Sequence, residues 1–138
     1  MSASTTPVPA GFGPIFRTSP LLETLGNFYS RGAGSQLEIG LLVDARHTNA
    51  RGQLHGGVVA TLADCGMGYL LACRSDPPRR LVTVSLSVDY VASATLGDWV
   101  EIRLDGADET GRLAFATASL TVGQRVVARV RGVYSAAG

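Results

Sequence analysis

The stretch NARGQLHGGVVATLADCGMGYLLAC, residues 49–73, decides the fold. It opens on polar residues and glycine, and from Gly56 to Cys73 it carries one charged residue, Asp64. The apolar residues follow no strict alternation, and the run is too long for a strand. It reads as a helix beginning at His55-Gly56-Gly57 and ending near Cys73, apolar nearly all round and therefore buried. Pro77 and Pro78, in RSDPPRR, cannot continue it. A carboxylate inside such a run is costly unless it is paired or its charge is used. Asp64 also argues against a membrane span, since an acid at the centre of a bilayer helix costs about 2.5–3.5 kcal/mol.

Outward from this helix the sequence alternates. Before it, Leu37, Ile39, Leu41 and Val43 alternate with Glu38, Gly40 and Asp44, the pattern of a half-buried strand. A shorter strand is expected near residues 27–31. SPLLETL, residues 19–25, reads as a short helix capped by Ser19 with Pro20 at its first position. After it come LVTVSLSVDYV, GDWVEIRLDGA, GRLAFATASLTV and QRVVARVRGVYS, separated by turn signals at Gly97-Asp98, Glu109-Thr110-Gly111 and Gly123-Gln124. In the first of these, Val82, Val84, Leu86, Val88 and Tyr90 are expected on one face, with Thr83, Ser85, Ser87 and Asp89 on the other. Four strands with tight turns predict an antiparallel meander. The fold class is therefore α+β, with one long central helix wrapped by a curved antiparallel sheet.

A chain of 138 residues suits one domain, expected over residues 19–138 behind a flexible arm, residues 1–18, rich in Ser, Thr, Pro and Gly. With 46% hydrophobic and 17% charged residues the chain is globular rather than disordered. A net charge of +1 gives no electrostatic case for nucleic acid or an acidic membrane. All 12 basic residues are Arg, which removes P-loop and Schiff-base chemistry that needs Lys. Cys65 and Cys73 lie about 12 Å apart on one helix, too far for a disulfide, and are expected as small buried hydrophobes in a reducing compartment. The N-terminus has neither the basic nor the apolar region of a secretory signal, so a cytoplasmic location is expected. Two histidines and no cysteine cluster give no metal site.

HTNARGQLHGGVVATLAD, VTVSLSVDYVASATLGDWVEI, GRLAFATASL and VVARVRGVY, in that order over residues 35–135, resemble the hotdog-fold acyl-CoA thioesterases of the phenylacetate-pathway (PaaI-like) branch. The resemblance implies a hotdog fold, side-by-side homodimers that join two sheets, and often homotetramers. It implies an acyl-CoA substrate and no separate cofactor. Carried onto this chain, it makes Asn49 the residue that helps place thioester and water. Gly56 becomes the glycine whose backbone N–H polarises the carbonyl. Asp64 becomes the catalytic carboxylate, acting from the neighbouring subunit, and Thr83 a hydroxyl near it. Cys65 departs from the Thr or Asn common after the acid.

The chemistry of the residues agrees with these roles. Thioester hydrolysis needs a base or nucleophile and a donor for the oxygen that becomes negative. A helix start at His55-Gly56-Gly57 offers free N–H groups and the positive end of a dipole. Asp64 stands about 12 Å further along, while catalytic groups must sit within about 3 Å of the reacting atoms. One chain cannot easily bring both to one carbonyl, but a two-fold axis can. His55 is expected to hold the loop or line the site, and Gly57 and Met67 to border the substrate. Arg79 and Arg80, with Arg74, are candidates for coenzyme A phosphates, and Arg125, Arg129 and Arg131 are rivals. The function expected is hydrolysis of an aromatic or medium-chain acyl-CoA. The alternative is a non-catalytic acyl-CoA-binding sensor or carrier.

Overall fold

The computed structural model describes residues 8–137. A short strand β1 (Gly13–Pro14) leads to helix α1 (Pro20–Leu25), strands β2 (Phe28–Arg31) and β3 (Glu38–Leu42), and the long helix α2 (Gly56–Ala72). Strands β4 (Leu81–Tyr90), β5 (Trp99–Thr110), β6 (Leu113–Val122) and β7 (Arg125–Ala136) follow. All pair antiparallel in one sheet of order β1-β2-β3-β5-β6-β7-β4. Helix α2 lies across it, touching β3 through β7. This is the hotdog arrangement that the family resemblance implies, within the α+β class expected from alternating strands around one apolar helix.

Each helix forms for a local reason. In α1, the Ser19 hydroxyl accepts from the Leu22 N–H at 3.2 Å, and Pro20 occupies the first turn where no N–H is needed. In α2, Val58, Val59, Leu62, Ala63, Gly66, Met67, Leu70 and Leu71 form one buried stripe at helical spacing. Leu62 is fully buried, worth about 1.5–3 kcal/mol of transfer free energy. The opposite face, with Thr61, Asp64, Cys65, Gly68 and Tyr69, is only half-buried. The helix is thus not buried all round within one chain. Gly66 lets it settle on the sheet, because a Cβ there would stand 2.7 Å from Ile102 Cγ2.

Three sequence expectations change. The meander is three-stranded, because β4 pairs with β7 rather than β5. Residues 91–98 hold a turn at Gly97, where the Asp98 N–H donates to Thr95 O at 3.0 Å, but they form a connection across the sheet rather than a hairpin, anchored by the Val91 N–H donating to Val127 O and the Leu54 N–H to Ala94 O. The alternation of β4 breaks at Val84, where Thr83 faces Tyr134 and Ser85 faces the next residue, Val133. This bulge exchanges the two faces of the strand's first half. Val82 and Val84 are left exposed, and Thr83 turns toward the helix. The third change concerns the arm. Residues 1–7 lie outside the described residues, but residues 12–16 are docked. Gly13 and Pro14 pair with Ser30 and Tyr29, Phe12 meets Trp99 edge-on at 4.8 Å, and Phe16 meets Tyr69 at 5.2 Å. Trp99 is the reason: its indole lies over Gly40, where a Cβ would come within 2.3 Å, and Phe12 packs edge-on to the same ring.

Candidate active site

The approach to α2 is a tight loop. The His55 N–H donates to His47 O at 2.8 Å, Thr48 bridges Leu54, and the Asn49 N–H donates to Gln53 O at 2.8 Å. The loop is pinned by His47, which is fully buried. Its Nδ1 lies 2.9 Å from the Asp44 N–H and accepts from it, which assigns the ring proton to Nε2. Nε2 then donates to Leu25 O at 2.8 Å, tying the loop to the end of α1. Asn49 Oδ1 accepts from the N–H groups of Arg51 and Gln53, at 2.8 and 3.2 Å. Its Nδ2 has no partner among the described residues.

His55 caps α2, with Nδ1 accepting from the Gly57 N–H at 2.8 Å. The cap takes up Gly57's N–H, so the helix start offers one free N–H fewer than its sequence suggests. Gly56 keeps a backbone N–H with no partner among the described residues, at the positive end of the helix dipole. The Gly56 carbonyl accepts from the Tyr90 hydroxyl at 2.8 Å.

About two turns further along α2 is Asp64. The Thr83 hydroxyl donates to its Oδ1 at 2.7 Å. The Tyr134 hydroxyl reaches the same Oδ1 at 3.2 Å and the Asp64 backbone carbonyl at 3.0 Å. The carboxylate in the apolar run is therefore answered by two neutral hydroxyls, both contributed by the sheet. Tyr134 is buried, and its pKa is driven far up, first by burial, then by the Asp64 charge and its hydrogen bond.

Asp64, Thr83 and Tyr134 stand in the wall of a cavity of about 560 Å³. Phe16, Tyr69, Ala72 and Leu81 give it apolar surface, and Arg17, Arg79 and Arg80 give it positive charge. Arg79 is paired with Glu109. Cys65 and Cys73 pack half-buried against the core and also border this cavity, and burial pushes both thiols up. Met67 does not border it. It is fully buried, lying against Gly132 beneath the sheet, because it points down the stripe that meets the core. Arg74 borders other hollows, Arg129 and Arg131 line one with Ser87 and Asp89, and Arg125 turns to Asp98 and Ser93 O.

The structure thus brings Asp64 and Thr83 together, brings His55 onto the Gly56-Gly57 turn, and leaves the two groups separate within one chain. Sequence reasoning missed Tyr134, Tyr90, Arg17 and the His47 latch. Tyr134 had a readable signal: a tyrosine at an inward strand position must satisfy its hydroxyl, and Asp64 is the one acid on the helix it faces. Arg17 had none, since it reaches the cavity only because Phe16 docks on Tyr69.

Residues 51–127, more than half of the chain, match the family model described as the thioesterase superfamily. The chain belongs to the thioesterase superfamily. This hotdog thioesterase is 46% identical over 129 residues to a Pseudomonas aeruginosa protein named "Putative esterase PA0474", covering 92% of this chain and 96% of that protein. It is 36% identical over 81 residues to acyl-coenzyme A thioesterase 13 of Mus musculus, covering 57% of this chain and 56% of that protein. Its fold matches a mutant of the phenylacetic acid degradation protein PaaI from Thermus thermophilus, with a TM-score of 0.75 at 22% identity, over 86% of this chain and 100% of that one. The protein is an enzyme of the thioester hydrolase class. Among the described residues no helix is long and apolar enough to cross a membrane, and no group of His, Cys, Asp and Glu could hold a metal ion.

Proposed function

We propose that this hotdog thioesterase hydrolyses an aromatic or medium-chain acyl-CoA to the free acid and coenzyme A. Asp64 of one subunit acts on a thioester held at Asn49 and Gly56 of the other. The observation that carries the reading is the carboxylate of Asp64, held by two hydroxyls at the wall of a cavity large enough for an acyl group. In the water route, Asp64 takes a proton from water as its oxygen attacks the carbonyl carbon. The Gly56 N–H receives the developing oxyanion, the C–S bond breaks, and the proton passes to the departing thiolate. In the direct route, Asp64 itself attacks, the thiolate leaves, and water cleaves the resulting anhydride. Asn49 Nδ2 is a free donor for the carbonyl or the water. Arg17, Arg79 and Arg80 offer guanidinium groups to the phosphates of coenzyme A.

The shared site is supported by β4. It is the last strand of the sheet, and among the described residues its outer edge is unpaired. Thr83 near one end serves Asp64, and Tyr90 at the other end serves Gly56. Antiparallel pairing of two β4 strands about a two-fold near Leu86 and Ser87 would set Thr83 of one copy opposite Tyr90 of the other, bringing the half-sites together. Exposed Val82, Val84, Tyr90 and Val91 supply apolar surface for that contact.

The test is thiol release from a panel of acyl-CoAs. Turnover of aromatic or medium-chain members is expected, and Asp64→Asn lowers it by about 10²–10⁴-fold with the fold intact. Tight binding without turnover on every member would favour the sensor or carrier, and an active Asp64→Asn enzyme would remove Asp64 from the chemistry.

A further inference from the structure

We propose that Tyr134 is a positioning residue that shares Oδ1 of Asp64 with Thr83 and so makes Oδ2 the oxygen that meets the substrate or its water. The proposal rests on the hydrolysis reading above. It holds for either route, because both need one carboxylate oxygen free and aimed.

Three observations converge. Thr83 and Tyr134 reach the carboxylate from two adjacent strands, β4 and β7, whose register sets these two residues opposite each other. Both hydroxyls approach Oδ1, at 2.7 and 3.2 Å, while Oδ2 accepts no hydrogen bond from any described residue. The Tyr134 hydroxyl also stands 3.0 Å from the Asp64 backbone carbonyl, so it spans the side chain and main chain of one residue. The single phenol proton is shared between these two acceptors, so one buried donor ties Oδ1 to the main chain of the same residue. Tyr134 is 2% exposed, and its ring packs between Gly132, Gly68 and Met67. Its phenol is therefore a fixed donor. Burial and the neighbouring acid keep it protonated throughout the neutral range. A carboxylate aimed by a rigid donor loses little freedom on reaching the reactive geometry.

Tyr134→Phe removes the hydroxyl and keeps the ring. With acyl-CoA as substrate, kcat is expected to fall about tenfold, the size of one hydrogen bond to a charged group, while KM stays within about twofold. Because Thr83 and Tyr134 hold one oxygen, either can partly hold it alone. Thr83→Val with Tyr134→Phe should then lose more activity than the product of the single losses. A Tyr134→Phe enzyme with full kcat, or a double variant showing only that product, overturns the proposal. A second measurement needs no substrate: urea unfolding of Asp64→Asn, Tyr134→Phe and their combination. Non-additive stability is expected, and strict additivity sinks the Tyr134–Asp64 bond. Coupling that persists in a protein inert to every acyl-CoA would instead overturn the reaction and leave the Tyr134–Asp64 contact standing.

Discussion

Asp64 is held by residues far away in sequence. Its partners are Thr83, 19 positions on, and Tyr134, 70 positions on. The residue type was legible, because a lone acid in an apolar helix must be paired or used, and Gly56 was legible as a donor at a helix start. The two hydroxyls that hold Asp64 were legible only in part. Thr83 followed from the family resemblance, while regular alternation placed it on the wrong face. Tyr134 makes a pH prediction at this scale. Its folded pKa is raised above the unfolded value of about 10, so its contribution to stability is complete below that pH. That contribution is lost as pH climbs above it, since the unfolded chain then binds fewer protons. Between pH 9 and 11 the urea midpoint should fall more for the wild type than for Tyr134→Phe, with a limiting slope of about 1.4 kcal/mol per pH unit from this group.

At the level of elements, β4 carries the most information. Its bulge at Val84 is one extra residue, and that residue lets Thr83 face the helix while Leu86, Val88 and Tyr90 also do so. No composition signal marks it, since Val84 and its neighbours read as regular alternation. Every strand but β1 was visible, because period-2 patterns are local and the two residues Gly13–Pro14 carry none. The pairing of β4 with β7 was not, since a connection's length does not say which edge it crosses to. The docked segment before α1 is another such case. Gly40 holds it indirectly, by making room for the Trp99 ring that Phe12 packs against edge-on. Gly40→Ala should displace that ring and cost about 1–3 kcal/mol by chemical denaturation, an overpacking loss. A neutral result would mean that the indole can tilt away without cost.

At the scale of the whole molecule, one chain sets the Gly56 N–H and the Asp64 carboxylate about 12 Å apart along α2, and the proposed site needs both. The half-buried face of that helix and the exposed valines of β4 lie on the side where a second copy would pair. Val84→Glu is expected to shift the protein to a monomer by analytical ultracentrifugation and to abolish thiol release, while its secondary structure persists. A monomer that keeps full activity would overturn the shared site. Complementation is the sharper measurement. Mixing Asp64→Ala chains with Asn49→Ala chains after unfolding and refolding gives heterodimers in which one of two sites is whole. Roughly a quarter of wild-type activity should return if sites are shared between chains and pairing is random. No recovery is expected if each chain serves its own substrate.

The sequence alone determined the class of fold and the chemistry available. Periodicity is a local property, so one apolar helix, its capped neighbour and the strands could be read residue by residue. The absence of Lys excluded P-loop and Schiff-base chemistry, and the family resemblance pointed to Asp64 and the Gly56 N–H. Only the tertiary structure decided which hydroxyls hold Asp64, which arginines border its cavity, and that Met67 belongs to the core. It also tied up Gly57 in a cap and left Gly56 free. These depend on register, on one bulge and on a docked segment, where a shift of a single residue turns a side chain to the opposite face. Contacts between residues 70 positions apart are set by that register and not by anything nearby in the chain.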